Sequence, residues 1–237
     1  MLKQVGFLQF IQKDWLDATV AFYQNTQNVE NTKTNLNNLI ISDVPKNEER
    51  RKTIDVLTRT WIRVPKKHEN LRNQALEIYD ELEPDERIIL HWGMLLLAYP
   101  FFHDIVEKIG IILRIQDEFN PTQLRNKLVS SWGDRTTIIR AIDRVIQSQK
   151  NWNILKSDKR LIKSTSKLEI KNEFLCLWFL ECVYRSENVD SILFDKLISL
   201  ETMFPFELKI PAYKIKQAKN FEYKMHGMNM EIMSLKN

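Results

Sequence analysis

The sequence predicts a mainly α-helical protein: a helical bundle with a small basic β-hairpin near its middle and a second β-hairpin at the C-terminus. Three observations carry this reading. Glycine is scarce, with five in 237 residues, and glycine-poor chains favour helices over turn-rich β folds. Apolar residues recur at three- and four-residue steps through most of the chain. Prolines fall between these periodic stretches, where they begin helices or stop them. With 43% hydrophobic residues, the chain can bury a real core as one large domain or two small ones.

Taken in order, residues 2–24 read as a helix, with Val5, Leu8, Ile11, Trp15 and Phe22 on one stripe. The stretch 25–38 holds six asparagines. Asparagine competes for backbone hydrogen bonds, so a loop or frayed end is expected there. Pro45 opens a helix running to Trp61, and Pro65 ends it and begins another bearing Leu71, Ala75, Ile78 and Leu82. A further helix starts near Glu83-Pro84 and stops at Tyr99-Pro100. Its apolar run, Ile88 to Phe102, is broken by Pro100 and is too short to span a bilayer, so it reads as a buried helix.

From Pro100 a helix carries Phe102, Ile105, Val106, Ile109 and Leu113 and ends near Gln116. Asn120-Pro121 is an N-cap and N1 pair opening a short helix that buries Leu124, Leu128 and Trp132. Gly133 then suits a turn and Asp134 an N-cap for a strongly amphipathic helix, residues 134–151. Its apolar residues are Ile138, Ile139, Ala141, Ile142, Val145, Ile146 and Trp152. Its polar face carries Thr137, Arg140, Arg144 and Gln147. After Trp152, the apolar pairs Ile154-Leu155 and Leu161-Ile162 flank a polar turn at Ser157-Asp158-Lys159, and Leu168 and Ile170 follow at a two-residue step. Together, residues 153–171 read as a basic hairpin. The last third reads as helices at 173–185 and 190–203. A hairpin follows, turning at His226-Gly227-Met228-Asn229 between Met225 and Met230.

Charge is unevenly placed. Residues 120–171 hold twelve basic and four acidic residues, a local charge of +8 in a chain whose total is +4. A solvated face or a polyanion partner would each explain such a segment, and the concentration of charge favours the partner.

Helix, helix, tight turn, helix and basic hairpin is an order that resembles the winged helix-turn-helix proteins over about residues 101–170. Together with the helices and hairpin read on either side, whose short links suit a bundle, that resemblance divides the chain into an N-terminal helical bundle over 1–99, a winged helix-turn-helix over 100–171, and C-terminal helices and hairpin over 172–237 packed on the rest. It also implies double-stranded DNA as the partner. The third helix would enter the major groove through Arg135, Thr136, Thr137, Arg140, Arg144 and Gln147. The wing would neutralise phosphates through Lys156, Lys159, Arg160, Lys163 and Lys167. In this family the third helix is shorter, so its second half here is expected to pack against other parts of the chain. In size, helical content and a central winged helix the chain also resembles the small A component of BREX phage-defence systems of bacteria. Winged helices also serve as scaffolds, so docking onto a larger protein complex is the alternative function.

Chemistry is sparse. The four histidines, His68, His91, His103 and His226, form no HExxH-like pairing, and no metal site or cofactor is expected. Nucleophile elbows and phosphate-cradling glycine loops are missing from the sequence. Asp158, Glu169 and Lys171 have the order of a metal-dependent nuclease, an acid followed by Glu-x-Lys. Asp158 falls in a turn, however, and Glu222-Tyr223-Lys224 repeats the pattern elsewhere. A non-enzymatic protein is therefore expected. Cys176 and Cys182 have neither a redox nor a zinc spacing and read as buried reduced thiols. With no signal-like apolar run at the N-terminus, a cytoplasmic location and no membrane partner are expected. Trp15, Trp61, Trp132, Trp152 and Trp178 lie on apolar stripes and read as core.

Overall fold

The computed structural model describes residues 5–227 and 230–236. The chain is mainly helical, with small sheets. The first elements are α1 (Lys13–Thr26), α2 (Val29–Ile40), α3 (Asn47–Trp61), α4 (Glu69–Ile78), α5 (Arg87–Ala98) and α6 (Pro100–Ile115). Next come β1 (Glu118–Phe119), α7 (Pro121–Trp132), α8 (Thr136–Asn151), β2 (Leu155–Asp158), β3 (Leu161–Ser164) and β4 (Leu168–Ile170). The chain closes with α9 (Glu173–Glu187), β5 (Ile192–Leu193), α10 (Phe194–Leu197), β6 (Phe206–Leu208), α11 (Ala212–Lys216), β7 (Phe221–His226) and β8 (Met230–Leu235).

Four sequence expectations change. First, the predicted helix at 2–24 begins only at Lys13, and Val5–Gln12 form no helix. That segment is held by long-range bonds instead. The Ile11 amide donates to Ser148 Oγ at 2.9 Å, and Trp152 Nε1 donates to the Ile11 carbonyl at 3.0 Å. The Lys13 amide, at the head of α1, donates to Asn151 Oδ1 at 2.8 Å. Residues 2–4 of the expected helix lie outside the described residues.

Second, the asparagine-rich stretch forms α2 rather than a loop. Asn28 caps it, accepting from the amides of Glu30 and Asn31 at 3.0 Å. Thr32, Leu36 and Ile40 are buried four residues apart. Periodicity outweighs composition here.

Third, the helix expected at 190–203 is broken. Asn188 ends α9 in the left-handed region at φ 53°, and Ile192 and Leu193 pair with Met233 and Ile232 of β8. Only the short α10 and a 3-10 turn at Glu201–Met203 remain helical. Fourth, Leu168 and Ile170 do not belong to the basic hairpin. They lie in β4, which runs parallel to β6.

One core joins all three chain segments. Trp92 of α5 lies 5.1 Å from Phe102, 6.4 Å from Trp152, 5.7 Å from Phe204 and 5.4 Å from Phe206, ring centre to ring centre. Truncating a side chain this buried typically costs about 3–5 kcal/mol. All six tryptophans are buried, as are both cysteines, which are free thiols. Burial pushes the Cys176 thiol up to about 11 and Cys182 well above its usual value, so both are held as unreactive thiols. The apolar run of α5 and α6 bends through 118° at Tyr99-Pro100, and no single helix among the described residues is long and apolar enough to cross a membrane.

At the C-terminus, β7 and β8 pair antiparallel from Phe221↔Leu235 to His226↔Met230. Met228 and Asn229 of the expected turn lie outside the described residues.

Candidate nucleic-acid interface

The basic segment folds as α6, β1, α7, α8, β2 and β3. The three strands form one antiparallel sheet in the order β1-β3-β2. In register, Phe119 of β1 faces Ile162, and Leu155 of β2 faces Ser164. Phe119, Leu155 and Ile162 are buried. The sheet therefore sits on the core and turns its other face outward. Strand β1 is only two residues long and has no periodicity to announce it.

A tight turn sets α8 against α7. Gly133 adopts φ 83°, where a side chain is strained. The cap of α8 is Arg135 rather than Asp134, and the helix starts at Thr136. Arg135 is half-buried, and its Nη2 donates to the Trp132 carbonyl at 3.2 Å, so this side chain braces the turn. Trp132 Nε1 in turn donates to Asp104 Oδ2 at 2.8 Å. Asp104 also bonds His103 Nδ1 at 3.2 Å, and His103 Nε2 bonds Glu187 Oε1 at 3.0 Å. Burial alone would lower the His103 pKa, but the two carboxylates outweigh it and raise it to about 9. A charged histidine thus ties the turn to α6 and α9. This cluster has no local signature in the chain, because Glu187 lies far along it from His103 and Asp104.

The faces of α8 divide cleanly. Ile138, Ala141, Ile142, Val145 and Ile146 are buried, Ile139 at the edge of the stripe is only half-buried, and Thr136, Thr137, Arg140, Arg144 and Gln147 are exposed. Arg144 Nη1 donates to Gln147 Oε1 at 3.1 Å. On the shared flank, Arg125 Nη2 and Asp143 Oδ1 are 2.6 Å apart and link α7 to α8. The last turn of α8 is buried against the N-terminal segment through Ser148, as its extra length predicts.

The hairpin β2–β3 turns at Lys159-Arg160, one residue later than the expected Ser157-Asp158-Lys159, because Asp158 pairs with Leu161. Both tip residues are exposed. Lys159 stands at φ 55°, a left-handed conformation usually filled by glycine or asparagine. Lys156 and Lys163 face each other across the strands. Lys163 is already matched, 2.8 Å from Asp158 and 3.1 Å from Glu118. These bonds push its pKa up and that of Asp158 down. Lys167 lies beyond β3, exposed, on the way to β4.

Among the described residues, Arg140, Arg144, Lys156, Lys159, Arg160 and Lys167 engage in no ion pair, whereas Lys163 does. The polar face of α8 and the hairpin therefore carry uncompensated positive charge.

The nuclease-like residues separate. Asp158 lies in the β1-β3-β2 sheet, and Glu169 lies in the β4–β6 pair. Glu169 bonds Lys171 at 3.1 Å and Lys209 at 3.3 Å. No cluster of His, Cys, Asp and Glu suited to a metal ion occurs among the described residues. His91, unpaired in the sequence reading, is bonded at both ring nitrogens in the core, to Trp61 and Asp17. No protein family, curated protein or solved structure matches this chain.

Proposed function

We propose that residues 100–164 form a winged helix-turn-helix that binds double-stranded DNA without catalysing a reaction on it. The observation that carries the reading is the set of six unmatched cations on the exposed face of α8, at the hairpin tip and around it. The order helix, strand, helix, helix, strand, strand and the sheet order β1-β3-β2 support it. Helix α8 enters the major groove, with Arg140 and Arg144 placed to meet guanine edges or phosphates. Thr136, Thr137 and Gln147 lie beside them. Lys156, Lys159, Arg160 and Lys167 meet phosphates. Arg135 acts by fixing the turn, and Lys163 contributes least because its charge is matched. The likeness in size, helical content and a central winged helix to the BREX A component makes a cytoplasmic accessory role in bacterial phage defence the process we favour.

The test is duplex binding measured across salt. If four or five cations contact phosphates, log K should fall against log salt with a slope of about −4. A flat salt response would end the DNA reading.

A second reading rests on a separate observation. Phe174, Val189, Leu193, Ile198, Tyr213, Met225 and Met230 are large apolar residues left exposed in the C-terminal third. They support a scaffold role, in which this end docks a larger complex. Co-purification with a stable partner that survives alanine at Arg140 and Arg144 but not polar replacement of Met225 and Met230 would favour it.

A further inference from the structure

We propose that the cavity between the exit of the hairpin and the C-terminal segment binds an amphipathic small molecule, an apolar chain or ring bearing one carboxylate, with Lys167 as the partner of the carboxylate. This inference stands whether or not the chain binds DNA.

The cavity holds about 570 Å³, inside the range of roughly 300–1,000 Å³ typical of small-molecule sites. Its walls come from three places far apart in sequence: the end of α6, the segment Ser164–Lys167, and the stretch from α10 to α11. The interior is apolar, formed by Leu113, Phe194, Met203, Phe206 and Ile215. The floor is close-packed. Gly110 meets the Glu201 carbonyl so tightly that a Cβ there would stand 2.1 Å from its oxygen. The end of α6 and the turn at Glu201 are therefore in direct contact on this side of the cavity.

Polar groups at the rim decide the ligand's charge. Glu201 is paired with Arg114, and Glu207 with Lys209. Thr165 Oγ1 donates to the Asn153 carbonyl at 2.7 Å, and Ser199 Oγ donates to the Asp195 carbonyl at 2.5 Å. Lys167 is the lining cation with no ion pair among the described residues. An apolar interior with one unmatched ammonium at its edge complements an apolar body with one anionic head. A neutral amphiphile would leave the ammonium unused, and a cationic one would be repelled.

Decanoate, decanol and decylammonium, each below its micellar concentration, are the probes for calorimetric titration of the whole chain. Decanoate should bind saturably, roughly tenfold tighter than decanol, with decylammonium weakest. Lys167→Gln should remove that preference, weakening decanoate about tenfold and leaving decanol unchanged. Ile198→Trp, at an exposed rim position, should fill the cavity and abolish both. Unchanged thermal unfolding of each variant establishes that it folds. The proposal is overturned if decanoate fails to saturate by about 1 mM. It is equally overturned if Lys167→Gln leaves the preference intact, or if Ile198→Trp binds decanoate as well as the parent does.

Discussion

Trp61 Nε1 donates to His91 Nδ1 at 3.0 Å in the middle of the core. An indole N–H can only donate, so Nδ1 must keep its lone pair and the imidazole is neutral with its proton on Nε2. That proton goes to Asp17 Oδ1 at 2.9 Å, and the Tyr79 hydroxyl donates to the same oxygen. Burial lowers the His91 pKa and outweighs the pull of Asp17. Burial would raise the Asp17 pKa, but the bonds from His91, Lys13 and Tyr79 hold it well below the carboxylate range. Three helices and the turn after α4 are thereby locked together. Asp17→Ala should destabilise the protein by about 2 kcal/mol, since it strands a buried imidazole N–H and a phenol. Urea unfolding measures this. DNA affinity at fixed salt should not change.

The histidines impose opposite pH slopes. His103 has a folded pKa raised to about 9, so its contribution is full below about 6.5 and is lost as pH rises toward 9. His68 is buried and repelled by Lys67 and Arg185, which lowers it to about 4. The unfolded chain takes up that proton first, so stability falls as pH drops from about 6.5 to 4. His91 adds to this acid limb, and Asp17 extends it below about pH 4. Stability should therefore peak near pH 6.5. His103→Gln should flatten the alkaline limb and leave the acid limb alone. A midpoint that rises steadily from pH 6 to 9 in the parent chain would contradict this assignment.

What could be read in advance follows from range of interaction. Helices α3 to α9 announce themselves through local periodicity and proline boundaries, so Ile138 to Ile146 could be assigned to the core and Arg140 and Arg144 to the surface. Elements held by distant partners could not be. The stripe Val5, Leu8, Ile11 suits a helix, yet Ile11 gives its backbone to Ser148 and Trp152. Ile192 and Leu193 look helical until β8 takes them. Strand β1 consists of two residues that become a strand only because Lys163 and Ile162 face them. The same limit hid the matching of Lys163 by Glu118, and the meeting of His103 with Glu187.

Lys159 separates stability from binding. Its left-handed backbone at φ 55° is disfavoured for a residue with a Cβ by about 1–2 kcal/mol relative to glycine. Lys159→Gly should therefore raise stability, by up to about 1 kcal/mol after the added freedom of the unfolded chain is offset. If the tip meets phosphates, the same change should weaken DNA binding and flatten the salt slope by about one. A variant both more stable and equally tight on DNA would remove the tip from the interface.

Arg140 and Arg144 lie one turn apart on the exposed side of α8, and neither is in an ion pair among the described residues. Their joint replacement by alanine should change stability by no more than about 0.5 kcal/mol, as at ordinary surface positions. DNA affinity should fall far more. A base contact is worth about 1–3 kcal/mol, and each lost phosphate contact reduces the salt slope by about one. The hairpin supplies the internal control. Lys156 and Lys163 face each other across the strands, but only Lys163 is held by Asp158 and Glu118. Lys156→Ala should weaken every duplex alike and flatten the slope. Lys163→Ala should do little to the slope, because Asp158 and Glu118 already offset its charge. Equal effects from the two lysines would mean that net charge, rather than unmatched cations, governs the interaction. Unfolding of the Arg140→Ala/Arg144→Ala protein, with no measurable DNA binding by the parent, would make this face a protein interface.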